Sequence, residues 1–119
     1  MRSVLLVDDE SQLLFVWRSI LTDAGYRVRS APNGAVALET LRLERADLII
    51  TDWMMPVMNG AELCRVLRAH RAFASIPVLV FTSVSSPSNP VDGGWDEWLV
   101  KPASREEFLA AVARLCKPG

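Results

Sequence analysis

Asp8, Asp9, Asp52, Thr82 and Lys101 bring carboxylate, hydroxyl and ammonium groups to the same kind of place, the end of a short apolar run. Val4-Leu5-Leu6-Val7 leads into Asp8 and Asp9, and Leu48-Ile49-Ile50-Thr51 delivers Asp52. Val78-Leu79-Val80-Phe81 ends at Thr82, and Trp98-Leu99-Val100 runs into Lys101. Runs of that length read as strands, continuous apolar ones as strands buried on both faces. In an open α/β sheet, ligands bind outside the C-terminal ends of the strands, where the strand order reverses. Three carboxylates gathered there repel one another unless a cation neutralises them. Their hard oxygens suit Mg²⁺, which is held by a few carboxylates and keeps several waters. A lysine and a hydroxyl beside such an ion make a place for a phosphoryl group.

Each residue also has a plainer role. Asp8 and Asp9 could cap the helix that follows them, Asp52 could serve a turn, Thr82 could be an ordinary β-branched strand residue, and Lys101 a solvated charge. Any one short motif matches by chance, but their joint placement at strand ends is not explained that way. Met54, Met55 and Met58 do not form a soft-metal set, because the adjacent carboxylates favour hard ions and Met is ordinary loop packing. Trp53 reads as a surface aromatic beside the site. His70, between Arg68 and Arg71 near a helix end, reads as structural, its charge suited to the helix dipole.

The elements that must position these residues alternate along the chain. After the first strand, Leu13, Leu14, Trp17, Leu21 and Ala24 recur at helical spacing, with Gly25 as a stop. Arg27 to Ala31 alternates polar and apolar residues, as an edge strand does. Asn33-Gly34 opens a helix through Leu38 and Leu41. Pro56 and Asn59-Gly60 precede another that carries Leu63, Val66 and Leu67 towards His70. Ser104 and Glu107 form a capping box ahead of Phe108, Ala111, Val112 and Leu115. Strands alternating with helices in so short a chain predict a parallel sheet covered on both faces. Residues 83–94 break the rhythm, since their serines, Pro87, Pro90, Gly93 and Gly94 carry no apolar stripe. An irregular loop is expected there in place of a helix.

Composition limits the rest. The 119 residues fit one domain, 1–119, and half of them are hydrophobic, enough for a proper core. Thirteen Lys and Arg against fourteen Asp and Glu leave a formal charge of −1, which gives no basic field for direct nucleic-acid binding and no reason to expect a membrane surface. The first apolar run has four residues before Asp8, too few for the core of a signal peptide. Cys64 and Cys116 lack CxxC spacing or a companion His, and are expected to be free, buried thiols in a reducing cytoplasm.

With those residues in view, the whole chain resembles the response-regulator receiver domains of two-component signalling and phosphorelays. The matching motifs are Val7-Asp8-Asp9-Glu10, Asp47 to Asp52 with Met55-Pro56 and Asn59-Gly60, Thr82-Ser83, and Lys101-Pro102. The resemblance implies a flavodoxin-like, doubly wound sheet of five parallel strands in order 2-1-3-4-5. It makes Asp52 the phosphoacceptor, with a phosphohistidine on a histidine kinase or histidine phosphotransfer protein as donor. Mg²⁺ would be held by Asp9 and Asp52, by Asp8 through water, and by the backbone carbonyl of Met54. Lys101 would pair with one phosphoryl oxygen and Thr82 would hydrogen-bond another. Trp98 stands where the family keeps its aromatic switch, usually Phe or Tyr, although a strand residue packed on the core is as good a reading. Receivers tune hydrolysis of the phosphoryl group through the side chains two residues beyond the acceptor and two beyond the threonine. Here these are the apolar Met54 and Val84, so loss should be slow, and the chain is a self-phosphorylating switch rather than a turnover enzyme.

The loop expected at 83–94 implies that the usual receiver dimer is absent and that a partner could dock in the gap. The last helix is followed directly by Cys116 to Gly119, so the chain could stand alone or be one piece of a regulator with a fused output domain or a downstream protein target. Three rivals are weighed against this reading. A degenerate receiver that binds partners without phosphorylation is opposed by the full residue set but kept open, as the alternative, by the loop expected in place of the fourth helix. A flavodoxin-like electron carrier would need a Ser/Thr/Gly-rich loop where Asp8-Asp9-Glu10-Ser11 stands. An aspartyl-phosphate hydrolase would need an acid where Met54 stands.

Overall fold

The structure, a computed structural model, describes residues 1–87 and 94–116. Its elements follow in the order β1 (Ser3–Val7), α1 (Ser11–Asp23), β2 (Arg27–Ala31), α2 (Gly34–Leu43), β3 (Leu48–Thr51), α3 (Gly60–Ala69), β4 (Val78–Thr82), β5 (Glu97–Val100) and α4 (Arg105–Leu115). The strands form one sheet in order β2-β1-β3-β4-β5, and all four pairings are parallel. This is the expected flavodoxin-like, doubly wound arrangement. Helix α4 is the segment opened by Ser104. The expectation of a loop in place of a helix at residues 83–94 rests mainly on residues 88–93, which lie outside the described residues.

Alternation along each central strand divides the core into two layers. Leu5, Val7, Ile49, Val78 and Val80 face α2 and α3, where they meet Ala37, Leu41, Leu63 and Leu67. Val4, Leu6, Leu48, Ile50, Leu79 and Phe81 face Leu21 of α1 and Phe108, Ala111 and Val112 of α4. A period of two on a strand buried on both faces produces this split. Edge strand β2 is only partly buried, as its mixed composition requires.

The helices begin where their side chains can satisfy free backbone donors. Asn33 accepts from the Val36 N–H at 2.9 Å. Asn59 and Glu62 form a capping box, and Ser104 and Glu107 form the expected one on α4. The Ser104 backbone N–H holds the exposed Glu107 carboxyl below its ordinary range. Because folding lowers that value, the cap's contribution is present above the unfolded pKa and fades as pH falls through the folded one. His70 follows α3, stacks on Phe73 with ring centroids 4.4 Å apart, and accepts the Ala72 N–H at Nδ1. Both contacts are local to the turn that follows α3.

Arg68 and Asp96 tie α3 to the starts of β4 and β5. The guanidinium donates to the carbonyls of Ala74 and Ile76 and to Asp96 Oδ2 at 2.9 Å, and the same oxygen accepts the Val78 N–H.

The turn from β3 into α3 is the tightest passage of the fold. A Cβ added to Gly60 would stand 2.5 Å from the Asp52 carbonyl oxygen and 2.8 Å from the Trp53 Cα. Three residues earlier, Val57 holds a left-handed φ of 70° while 78 % exposed, a conformation that costs a β-branched residue roughly 1–2 kcal/mol. Substitutions in this one turn should therefore have opposite signs. Gly60→Ala is expected to destabilise by about 1–3 kcal/mol through overpacking against rigid backbone. Val57→Asn is expected to stabilise by about 1 kcal/mol, since Asn tolerates the left-handed region. Urea unfolding midpoints of the two variants check both signs.

Candidate functional site

Strands β1 and β3 are neighbours, and the chain turns outward from them in opposite directions, to β2 and to β4. Their C-terminal ends flank the point of reversal, where an open α/β sheet leaves a crevice. Asp8 and Asp9 follow β1, and Asp52 follows β3. One carboxylate oxygen from each lies within 4.8 Å of the other two. Lys101, following β5, reaches across with its Nζ 3.0 Å from Asp8 Oδ2 and 3.6 Å from Asp52 Oδ2.

The two aspartates paired with Lys101 divide their oxygens in the same way, Oδ1 to backbone N–H groups and Oδ2 to the ammonium. Asp8 is 7 % exposed. Its Oδ1 accepts the Glu10 N–H at 3.0 Å, a local turn bond that coexists with the Lys101 contact; the helix cap considered from sequence is not made, since α1 starts from Glu10 without a side-chain cap. Asp52 Oδ1 accepts the Trp53 N–H at 2.6 Å and the Met54 N–H at 3.3 Å, leaving Oδ2 on the side of Lys101. Asp9 is exposed and completes the acidic group.

Apolar walls surround these charges. Leu6, Leu13, Trp17 and Phe81 line a small niche with Asp8 and Asp52. The Phe81 ring lies beneath the Lys101 ammonium, 5.1 Å from centroid to Nζ, within reach of a cation–π attraction. Trp17 packs edge-on against Phe81 at 4.9 Å and against Phe108 at 4.4 Å, so one aromatic cluster belongs both to the core and to the support of Lys101. Low-polarity surroundings strengthen every charge interaction in the crevice.

Thr82 is buried to 1 % exposure, and its carbonyl accepts the Lys101 N–H at 2.7 Å. Its Oγ1 accepts the Val84 N–H at 3.4 Å. Trp98 lies outside the acidic cluster, with its indole N–H donating to the Val84 carbonyl at 3.0 Å. Trp53 departs from expectation: it is half-buried, not a free surface aromatic, with its ring 5.4 Å from Trp95 and 4.9 Å from Trp98. No periodicity in the sequence could reveal that trio, because the three rings meet only through the pairing of β3, β4 and β5. The supporting role of Phe81 was hidden in the same way.

The cysteines carry no chemistry here. Both are free and buried, and burial pushes the Cys64 thiol up to about 11, which keeps it protonated and unreactive near neutrality. Among the described residues no helix is long and apolar enough to cross a membrane.

Comparison with known proteins places this geometry. The response regulator receiver domain family matches residues 4–113. The transcriptional regulatory protein GltR of Pseudomonas aeruginosa is 38 % identical over 119 residues, covering 98 % of this chain and 49 % of its own. Among solved structures, the chemotaxis response regulator CheY4 of Vibrio cholerae superposes with a TM-score of 0.89 at 36 % identity, covering 97 % of this chain and 98 % of that one. The receiver domain of the sensor histidine kinase PA1611 of Pseudomonas aeruginosa, with a magnesium ion coordinated in its active-site cleft, superposes at 0.88 with 27 % identity, covering 97 % of each chain. The chain spans about half the length of the curated relatives it matches. Its sheet order, its acidic crevice closed by a lysine and a family match over nearly its whole length agree, and the chain belongs to the response regulator receiver domains of two-component signalling.

Proposed function

We propose that this chain accepts a phosphoryl group on Asp52 from a phosphohistidine on a histidine kinase or histidine phosphotransfer protein, in a reaction that requires Mg²⁺. The observation that carries this reading is the convergence of Asp8, Asp9 and Asp52 with Lys101 at one sheet edge. Asp52 Oδ2 is the attacking oxygen, because Oδ1 is already engaged by two backbone N–H groups. The new P–O bond forms as the P–N bond of the phosphohistidine breaks, and the departing imidazole recovers a proton. Lys101, already beside Oδ2, pairs with an oxygen of the arriving group. Thr82 keeps its hydroxyl proton free to donate to another, since its oxygen only accepts from Val84.

The donor set fits Mg²⁺: it is all oxygen, with three carboxylates close enough for a small closure to bring them onto one ion. Asp9, Asp52 and the Met54 carbonyl would hold it directly and Asp8 through water. When bound, the metal supplies positive charge against the oxygens of the transferred phosphoryl group. The magnesium ion in the PA1611 receiver supports this assignment. The two free cysteines support a reducing, cytoplasmic setting.

Incubated with Mg²⁺ and acetyl phosphate, the protein is expected to gain one phosphoryl group by intact mass, and Asp52→Asn to gain none. A wild-type protein that stays unmodified and also fails to bind beryllofluoride would instead be a degenerate receiver working without phosphorylation.

The lifetime of the phosphoryl group follows from two exposed apolar side chains. Hydrolysis needs a water aligned opposite the leaving Asp52 oxygen. Met54 and Val84, 64 % and 37 % exposed, offer no group to hold one. Loss should therefore be slow, and Met54→Asn combined with Val84→Glu should hasten it on the order of tenfold by orienting that water. Decay of the phosphorylated mass after removal of donor measures this, and a double variant no faster than wild type would refute it.

A further inference from the structure

We infer that Trp53 is a positioning residue for the Asp52 carboxylate, and that its ring contact with Trp98 supports this task. The inference rests on the reading of Asp52 as phosphoacceptor, and nothing in the receiver resemblance gives Trp53 a role. The Trp53 N–H donates to Asp52 Oδ1 at 2.6 Å, much closer than the 3.3 Å contact from Met54. The direction of that N–H therefore decides which way the carboxylate turns, and hence whether Oδ2 faces Lys101.

The loop that carries Trp53 is held along its backbone, with the Asp52 N–H on the Val7 carbonyl and the Gly34 N–H on the Met58 carbonyl, and Met55 and Met58 packed against the core. Met54 and Val57 are mostly exposed, and the Trp53 carbonyl is fixed by the Gly60 N–H at 2.9 Å. At Trp53 itself the ring adds a side-chain hold to these backbone ones. It lies against Trp98 and Trp95, whose own rings are 5.1 Å apart. Trp98 is fixed in turn through its indole N–H on the Val84 carbonyl, and the Val84 N–H reaches Thr82 Oγ1. A contact path that leaves the site at Asp52 thus returns to it at Thr82. Movement of Trp98 would loosen Trp53, and a reoriented Asp52 would be felt at Trp98. The plainer account, three indoles that only bury apolar area, predicts lost stability without a specific effect on Asp52.

A double-mutant cycle separates the two accounts. With the full chain, Mg²⁺ and acetyl phosphate at saturation, Trp53→Ala is expected to slow phosphorylation about tenfold, the scale of a misplaced reacting group. The acetyl phosphate concentration giving half the maximal rate should stay unchanged, and Trp53→Phe should restore most of the rate. Trp98→Ala should slow the reaction in the wild-type background and add little in the Trp53→Ala background. Should Trp53→Ala prove too unstable, the same cycle with Trp53→Leu, which removes the ring but keeps apolar bulk, decides by the same criterion. Trp53→Ala reacting at the wild-type rate, or independent effects in the double variant, overturns this inference alone. A wild-type protein that takes up no phosphoryl group overturns the phosphoacceptor reading and this inference with it.

Discussion

Lys101 stands 3.0 Å from Asp8 and 3.6 Å from Asp52, and the C-terminal edge of the sheet is arranged around that contact. Three carboxylates share the crevice with one ammonium, so two formal negative charges remain uncompensated. Hydrogen bonds to the carboxylates offset part of that crowding. Glu10, Trp53 and Met54 supply them through backbone N–H groups aimed at the carboxylate oxygens turned away from Lys101. What remains is a site short of positive charge, the property that suits it to a divalent cation.

The fold sustains this opposition by packing beneath it. Lys101 is held from below by Phe81, which is locked by Trp17 of α1 and Phe108 of α4. Phe108 is wholly buried and contributes about 2–3 kcal/mol through area alone. The same residues that stabilise one core layer thus fix the height of the ammonium above the sheet. The Thr82 carbonyl accepts the Lys101 backbone N–H, so β4 and β5 stay paired up to the two residues that carry the hydroxyl and the ammonium.

On the other face, the turn after β3 brings Asp52 into the crevice under tight constraint. Gly60 lies against the Asp52–Trp53 backbone where a side chain cannot fit, and Asn59 with Glu62 caps the helix that follows. Val57 accepts an unfavourable backbone conformation between these fixed points. Such strain persists only where its surroundings over-determine the backbone, and here the surroundings are the parts that aim Asp52. The indole trio adds a side-chain tether to that backbone one.

The amino-acid sequence by itself determined the alternation of strands and helices, the edge position of β2, the Ser104–Glu107 capping box, and the placement of Asp8, Asp9, Asp52, Thr82 and Lys101 at strand ends. These are legible because each depends on local periodicity or on a side chain reaching its own backbone within a few residues. The motifs added the strand order through resemblance, which no local signal carries. Only the tertiary structure decided that Lys101 spans from Asp8 to Asp52, that Phe81 supports it, and that Trp53 is drawn in against Trp95 and Trp98. Those contacts join residues far apart in the chain. The register of the parallel strands brings them together, and that register is a property of the whole sheet.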